Sequence, residues 1–398
     1  MSGSVAVTPG KMVILGLGWF GIQVFWAFHT GPMPLFLRNF TDSKLTISLV
    51  LSLAGVTGCI VPSAVGYLSD RSATRFGRRR PYVFLGFLGV FLCVLGLPHV
   101  PTFGIAALVS GAMYFALRFA ETPFMSLLPD ITPPQQRSTA SGVMNLLGSF
   151  GLIACFAVSF AIWDDHPTAL FRLVALISFG AVLLSIALIR EPESARNPSP
   201  KPANPLGHFR SIAEERDALR FFSAQFFWWL GFWMVSTFAT LFVVEELKVA
   251  EGKSFLVLLP FTVMATVFML PMGILGDRYG RKGILSWMVA LWAAAEILVG
   301  LSQNLTHAVV TVAISAIPFA AVMGVGYAFM LDLIPEKRTA EFVGLSVISI
   351  AAAQILGPLI GGVLIDGFGY RSIFPAAAAF MLTGFVILQF ISPRSRDS

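Results

Sequence analysis

Apolar residues in this chain come in long runs, not at alternate or every-third positions. Runs of roughly 20 residues recur from one end to the other, broken by short polar stretches. Wound as a helix, a run of that length crosses about 30 Å of hydrocarbon. The pattern predicts membrane-spanning helices at about 12–37, 46–69, 82–98, 102–128, 138–162 and 168–190. A second set is predicted at about 219–245, 254–276, 283–301, 306–331, 339–365 and 372–391. Between the two sets of six, residues 191–218 change character, with Pro192, Pro198, Pro200, Pro202 and Pro205 set among mixed charges. That stretch reads as a solvent-exposed linker, with a short amphipathic helix near 206–217. The expected domains are a six-helix half over 1–190, the linker over 191–218 and a second six-helix half over 219–398.

The second half repeats the first. Gln23-Val-Phe-Trp26 returns as Gln225-Phe-Phe-Trp228, and Asp130 and Gly142 return as Asp332 and Gly344, all 202 residues on. Each half also carries a charged hairpin between two apolar runs. Gly66–Pro81 reads Gly-Tyr-Leu-Ser-Asp-Arg-Ser-Ala-Thr-Arg-Phe-Gly-Arg-Arg-Arg-Pro, and Gly273–Gly283 reads Gly-Ile-Leu-Gly-Asp-Arg-Tyr-Gly-Arg-Lys-Gly. The first copy holds four extra residues, Ser72–Arg75, so Asp70 and Asp277 lie 207 apart while Gly77 and Gly280 are back at 203. Landmarks that keep register in this way indicate duplication. Gly66 is expected to allow two helices to approach closely. Asp70 and Arg71 fall at a helix end, where an acid can face the partial positive charge of a neighbouring helix N-terminus.

Composition agrees with the pattern. The chain has 398 residues, 56% of them hydrophobic and 12% charged, whereas soluble globular chains carry about 25% charged residues. The net charge of +6 follows from loop placement: with the N-terminus inside, 20 of the 27 lysines and arginines fall on the side of the termini and linker. The positive-inside rule then puts both termini in the cytoplasm, with the plasma (cell inner) membrane as the expected site. No nucleic-acid partner is implied. The first apolar run continues to about Leu37, too long for a signal-peptide core, and reads as a first span. Cys59, Cys93 and Cys155 lie inside apolar runs and imply no disulfide framework. There is no phosphate-binding Gly-rich loop, no zinc spacing and no nucleophile elbow, so no enzyme, cofactor or metal is expected. Trp163-Asp-Asp-His166 has metal-ligand residue types but reads as a solvated turn.

The two hairpins resemble the signature loop between the second and third helices of the major facilitator superfamily. The longer first copy is similar to the sucrose/proton symporter, solute-carrier-45-type branch, which is related to the glycoside-pentoside-hexuronide carriers. The resemblance runs from the first predicted helix to the twelfth. It implies an all-α integral membrane fold of twelve transmembrane helices in two pseudo-symmetric halves, a monomer in the bilayer, and alternating access of a small-molecule substrate. It also implies a cytoplasmic gate made and broken during transport, assigned here to Asp70, Arg71, Arg75, Asp277 and Arg278. The plainer reading of the arginines is that they only set topology.

Ionisable residues inside the bilayer are costly to insert and mark candidate sites. Arg118 and Glu121 in the fourth helix are i, i+3 and share a face with Tyr114 and Met125. At 1.5 Å per residue they sit roughly 12–17 Å from the end of the helix near Pro129, close to the midplane. Their repeat positions are Ala320 and Met323, so the pair is confined to one half. It is read as the proton-coupling site, with His29 as a relay or hydroxyl partner. A mutually neutralised pair that only locks the helix, and a histidine satisfied by a backbone carbonyl, are the plainer alternatives. Gln23 and Trp26 in the first helix, mirrored by Gln225, Trp229 and Trp233 in the seventh, combine an amide for hydroxyls with indole faces for sugar C–H surfaces. Tyr114, Asn145 and Gln354 complete the substrate candidates. Glu296 in the ninth helix reads as interfacial.

These residues predict a proton-coupled symporter of a sugar or glycoside. An exporter or importer of an amphipathic, non-sugar solute is the alternative, and a non-transporting partner-binding protein is a third class. Sucrose symporters carry an aspartate near the position of Tyr114 and an arginine in the fifth helix, and this chain has neither. Drug/proton antiporters of the superfamily usually carry Gly-Pro in the fifth helix, where this chain has Gly148-Ser-Phe-Gly151.

Overall fold

Every predicted apolar run is helical. The computed structural model describes residues 8–72, 74–189, 191, 215–334 and 339–392, and those residues contain helices and turns but no strand. The first run is α1 (Pro9–Thr30) and α2 (Pro32–Arg38). It is followed by α3 (Lys44–Arg71), α4 (Arg80–Gly96), α5 (Phe103–Ile131), α6 (Arg137–Ile162) and α7 (Pro167–Leu188). The second set is α8 (Arg216–Ser236), α9 (Glu251–Tyr279), α10 (Arg281–Gly300), α11 (Leu305–Leu333), α12 (Thr339–Phe368) and α13 (Ile373–Gln389). Among the described residues, counting α1 and α2 as one, eleven spans are long and apolar enough to cross a membrane, and twelve when α8 and its continuation Ala239–Glu246, bent by 42°, are taken as one span.

Two spans are interrupted where the sequence pattern runs on. The Gly31 N–H bonds to Ala27 O, and Pro32, at the first position of α2, has no N–H with which to continue the ladder. After Ser236 the chain passes through Ala239–Leu241 into a π-helical turn, Phe242–Glu246.

Packing divides the chain into two units. Unit 1 contains residues 1–41, 56–200 and 251–255; unit 2 contains 42–55, 201–250 and 256–398. Within unit 1, α1 packs on α6 and α7, and α4 packs on α5 and α7. Within unit 2, α8 packs on α12 and α13, and α10 packs on α11 and α13. The same pairings therefore recur in the same order, as duplication requires. The repeat extends to helix caps. The Thr102 hydroxyl accepts from the Ile105 N–H at 3.4 Å, and 202 residues later Asn304 Oδ1 accepts from the His307 N–H at 2.9 Å.

A second pair of caps was hidden in the sequence. Asp366 receives the Ser43 hydroxyl and the Lys44 N–H at 2.8 Å and the Leu45 N–H at 3.0 Å, closing the N-terminus of α3 within unit 2. Its repeat partner Asp164 receives the Gly252 N–H at 2.7 Å, closing the N-terminus of α9 within unit 1. In the turn at Trp163–His166, Asp164, Asp165 and His166 are exposed as expected, while Trp163 is buried and donates to Glu251 at 2.7 Å, and Arg38 pairs with the same carboxylate. Gly66 also departs from expectation. A Cβ there would meet only Thr122, at 3.9 Å, whereas one on Gly86 would lie 2.6 Å from Ala116 O, so α4 and α5 make the close approach. The predicted linker and its amphipathic helix lie outside the described residues, apart from Glu191 and 215–218.

Candidate functional site

In unit 1 the helical spacing of Arg118 and Glu121 on α5 closes an ion pair, Arg118 Nη1 to Glu121 Oε2 at 2.8 Å. The other carboxylate oxygen accepts the indole N–H of Trp26 from α1 at 3.1 Å. The same indole presents its face to the Arg118 guanidinium, 4.7 Å from the ring centroid. One tryptophan therefore holds both members of the pair, and Glu121 is 9% exposed. Beside it, His29 Nδ1 and the Tyr114 hydroxyl share a hydrogen bond of 2.8 Å, both side chains buried. The His29 ring meets Trp26 edge-on at 5.4 Å. A tyrosine hydroxyl, not a backbone carbonyl, satisfies this histidine. Tyr114 is thereby inside the cluster, while Met125 on the same helix is exposed.

Among the described residues, neither of the other candidates of unit 1 hydrogen-bonds into this group. Gln23 is half-buried against Gly148 of α6. Asn145 is exposed, with its amide 3.4 Å from the Ser141 hydroxyl.

Unit 2 has aromatic rings where unit 1 has charge. Trp229, Phe232 and Trp233 of α8 pack with Phe261 of α9, Trp292 of α10 and Phe319 of α11, at centroid separations of 5.0 to 6.4 Å. The Trp233 indole N–H is buried with no hydrogen-bond partner among the described residues. Gln225 Oε1 accepts from the Ser346 hydroxyl at 2.8 Å, and Gln354 is buried in α12. Glu296 is buried, and Trp292 one turn earlier turns its N–H onto the carboxyl at 2.9 Å.

The hairpins form two copies of one charged knot, and its cations are not those expected. Arg79 donates to Asp70 at 2.8 Å and to Asp130 at 2.7 Å, and Arg78 reaches Asp130 at 2.9 Å. Arg281 donates to Asp277 and Asp332, both at 2.8 Å. Among the described residues Arg71, Arg75 and Arg278 pair with no carboxylate; each lies over its neighbouring ring, Tyr67, Phe76 or Tyr279. The reason is geometric: Arg79 and Arg281 lie where the next helix begins and so face α5 and α11, which carry the second aspartate. The turn needs glycine in both copies, since Gly77 and Gly280 have φ of 106° and 95°. Glu191 accepts the backbone N–H groups of Arg78, Arg79 and Arg80 at 2.7 to 3.0 Å and so caps α4. The 202-residue offset between Arg79 and Arg281 was the signal available in the sequence for this knot.

No group of three or more His, Cys, Asp or Glu among the described residues could hold a metal ion. The chemistry available is proton exchange at a buried carboxylate, hydrogen bonding by amides and indoles, and stacking.

A family model described as the Major Facilitator Superfamily matches residues 12–268 and 221–398. The sucrose transport protein SUC3 of Arabidopsis thaliana is 25% identical over 160 residues, 34% of this chain and 27% of that protein. The multidrug resistance protein MdtG of Proteus mirabilis (strain HI4320) is 28% identical over 167 residues, 40% of each. An uncharacterized transporter of Buchnera aphidicola is 25% identical over 169 residues, 41% of this chain and 43% of that protein. Each match thus spans less than half of the relative. Among solved structures, the nucleoside transporter NupG superposes with a TM-score of 0.78 at 16% identity, covering 96% of this chain and 99% of that one. A bacterial homologue of the human lysosomal transporter Spinster superposes with a TM-score of 0.75 at 14% identity, covering 96% of each chain.

Proposed function

The chain belongs to the Major Facilitator Superfamily, and from that footing we propose that it is a proton-coupled symporter of a sugar or glycoside working by alternating access. Membership makes it a multi-pass membrane transporter of small molecules and not an enzyme. The observation that carries the proposal is the contact set of Trp26, Glu121 and Arg118. The Glu121 carboxylate is held by one cation and one indole N–H. A proton on Glu121 removes the negative charge, loosens the Arg118 guanidinium and leaves it to bind solute hydroxyls on the face of Trp26. His29 and Tyr114 form the adjoining relay. In the proposed orientation both termini face the cytoplasm across the plasma (cell inner) membrane, and Glu121 takes its proton from the opposite side.

Gln23, Trp26 and Asn145 in unit 1, and Gln225, Trp229, Trp233 and Gln354 in unit 2, are the proposed solute contacts. The unpartnered Trp233 N–H supports this reading as a ready donor, and the sucrose-transport relatives support the solute class. The hairpin knots around Asp70 and Asp277 are the proposed gate, with the chain acting as a monomer. One observation favours a second reading: the wall formed by Trp229, Phe232, Phe261 and Phe319 offers few groups matched to hydroxyls and would suit an amphipathic solute.

The test is uptake of labelled mono- and disaccharides into proteoliposomes, with and without an inward proton gradient, for wild type and Glu121→Gln. Gradient-driven uptake lost in the variant with counterflow exchange retained supports symport at Glu121. No sugar uptake by a folded wild-type sample overturns the sugar reading.

A further inference from the structure

Glu296 plays no part in the transport reading above. It lies one turn from the Gly300 end of α10 and is 5% exposed. Oε1 accepts the Trp292 N–H at 2.9 Å. Oε2 is buried and has no hydrogen-bond partner among the described residues.

Nor does a described cation reach this carboxyl. On α10 itself the cations are Arg281 and Lys282, at the far end of the helix; Arg281 holds Asp277 and Asp332, and Lys282 holds the Gln389 and Ile391 carbonyls. α11 contributes an exposed His307 in its first turn, an exposed Tyr327, and Asp332 in its last turn. α13 has no titratable side chain over Ile373–Gln389. Arg371, just ahead of α13, is taken up by Glu246 and by the Gly300 and Ser302 carbonyls. α8 meets Trp292 through Phe232 and keeps its charges, Arg216, Asp217 and Arg220, in its first two turns.

An ionised carboxylate with one oxygen buried and unbonded and no counter-charge is strongly disfavoured, and such a group takes up a proton instead. We propose that Glu296 is a second proton-binding carboxyl of the membrane interior, carrying its proton on Oε2 and sensed by Trp292 on Oε1. The step is simple proton exchange: the Oε2–H bond breaks and the proton leaves to water, and the reverse restores it. Trp292 gives the exchange a structural consequence. An indole N–H bonds a carboxylate more strongly than a neutral acid, so loss of the proton draws Trp292 toward Oε1. The Trp292 ring lies 5.7 Å from Phe232 and 5.6 Å from Phe319, so the movement is passed to the aromatic wall of unit 2. The inference is independent of which solute is carried.

The test is infrared spectroscopy of the full chain in lipid nanodiscs across a pH titration, with tryptophan emission recorded in parallel. At neutral pH the spectrum should contain a protonated-carboxyl C=O band. The band is expected to persist in Glu121→Gln and to vanish in Glu296→Gln. It should disappear at alkaline pH together with a change in emission that Trp292→Phe removes. Identical spectra for wild type and Glu296→Gln would overturn the proposal. Trp292→Phe gives an independent check should Glu296→Gln not fold: losing the N–H on Oε1 must move the band to higher frequency, and an unmoved band overturns the proposal equally.

Discussion

Glu121 in unit 1 and Glu296 in unit 2 are both buried, and each accepts an indole N–H, from Trp26 at 3.1 Å and from Trp292 at 2.9 Å. They differ in the second oxygen. Glu121 gives it to Arg118, one helical turn earlier, whereas Glu296 gives it to nothing described. One cation at i−3 is the difference: Glu121 has an ion-pair partner, and Glu296 has none among the described residues. The donor common to both, a tryptophan, does not decide the matter.

The widest separation between the two should come from glutamine substitution on the charged side. Glu121→Gln removes the carboxylate that pairs with the half-buried Arg118 guanidinium, a loss of about 3–5 kcal/mol readable as a lower melting temperature of purified protein. Adding Arg118→Gln should restore most of it; a double variant as unstable as the sum of the singles would show that the pair is not coupled. Next come the two hairpin knots, where the Arg79 side chain is 8% exposed and that of Arg281 is 27% exposed. Arg79→Ala should cost about 2–4 kcal/mol and Arg281→Ala about 1 kcal/mol, and equal shifts in melting would remove the distinction. Third, Trp26→Phe should lose a bond to a charged acceptor, about 1.5–3 kcal/mol, and Trp292→Phe a bond to a neutral one, about 0.5–1.5 kcal/mol. The smallest effect is expected of Glu296→Gln, within about 1 kcal/mol of wild type, because glutamine matches the neutral acid in shape and charge. A stability gain of several kcal/mol there would mean that a buried, unpaired charge had been removed, and the contrast would collapse.

The spans were legible in the sequence because runs of this length have no other economical fold. The breaks within them were not. Gly31-Pro32 is a break signal that the reading of one continuous apolar run passed over, and nothing in Ser236–Glu246 announces a π turn. Arg118 and Glu121 were legible as a pair because helical spacing fixes their meeting on one helix. Their third partner, Trp26, was singled out for a different role, since contact between α1 and α5 has no local signature. Asp70 and Asp277 were found as landmarks, but the arginines that pair with them within each unit, Arg79 and Arg281, were not singled out. Within Arg78-Arg79-Arg80 no spacing rule says which guanidinium faces Asp130; only the beginning of α4 decides it. The Glu296–Trp292 bond was missed because only distance to the helix end was weighed, while Trp292, four residues earlier and able to turn its N–H inward, was not.

The knots also have a history within each molecule. Arg79 is made 51 residues before Asp130, and Arg281 is made 51 residues before Asp332. At ordinary rates of synthesis the interval is about 3–10 s. Through it the hairpin arginines emerge with only Asp70 or Asp277 beside them, and Glu191 follows Arg80 by a further delay, 111 residues in all. Each clasp can therefore close only once α5 or α11 has been made, and the hairpin arginines spend that interval without their second acidic partner.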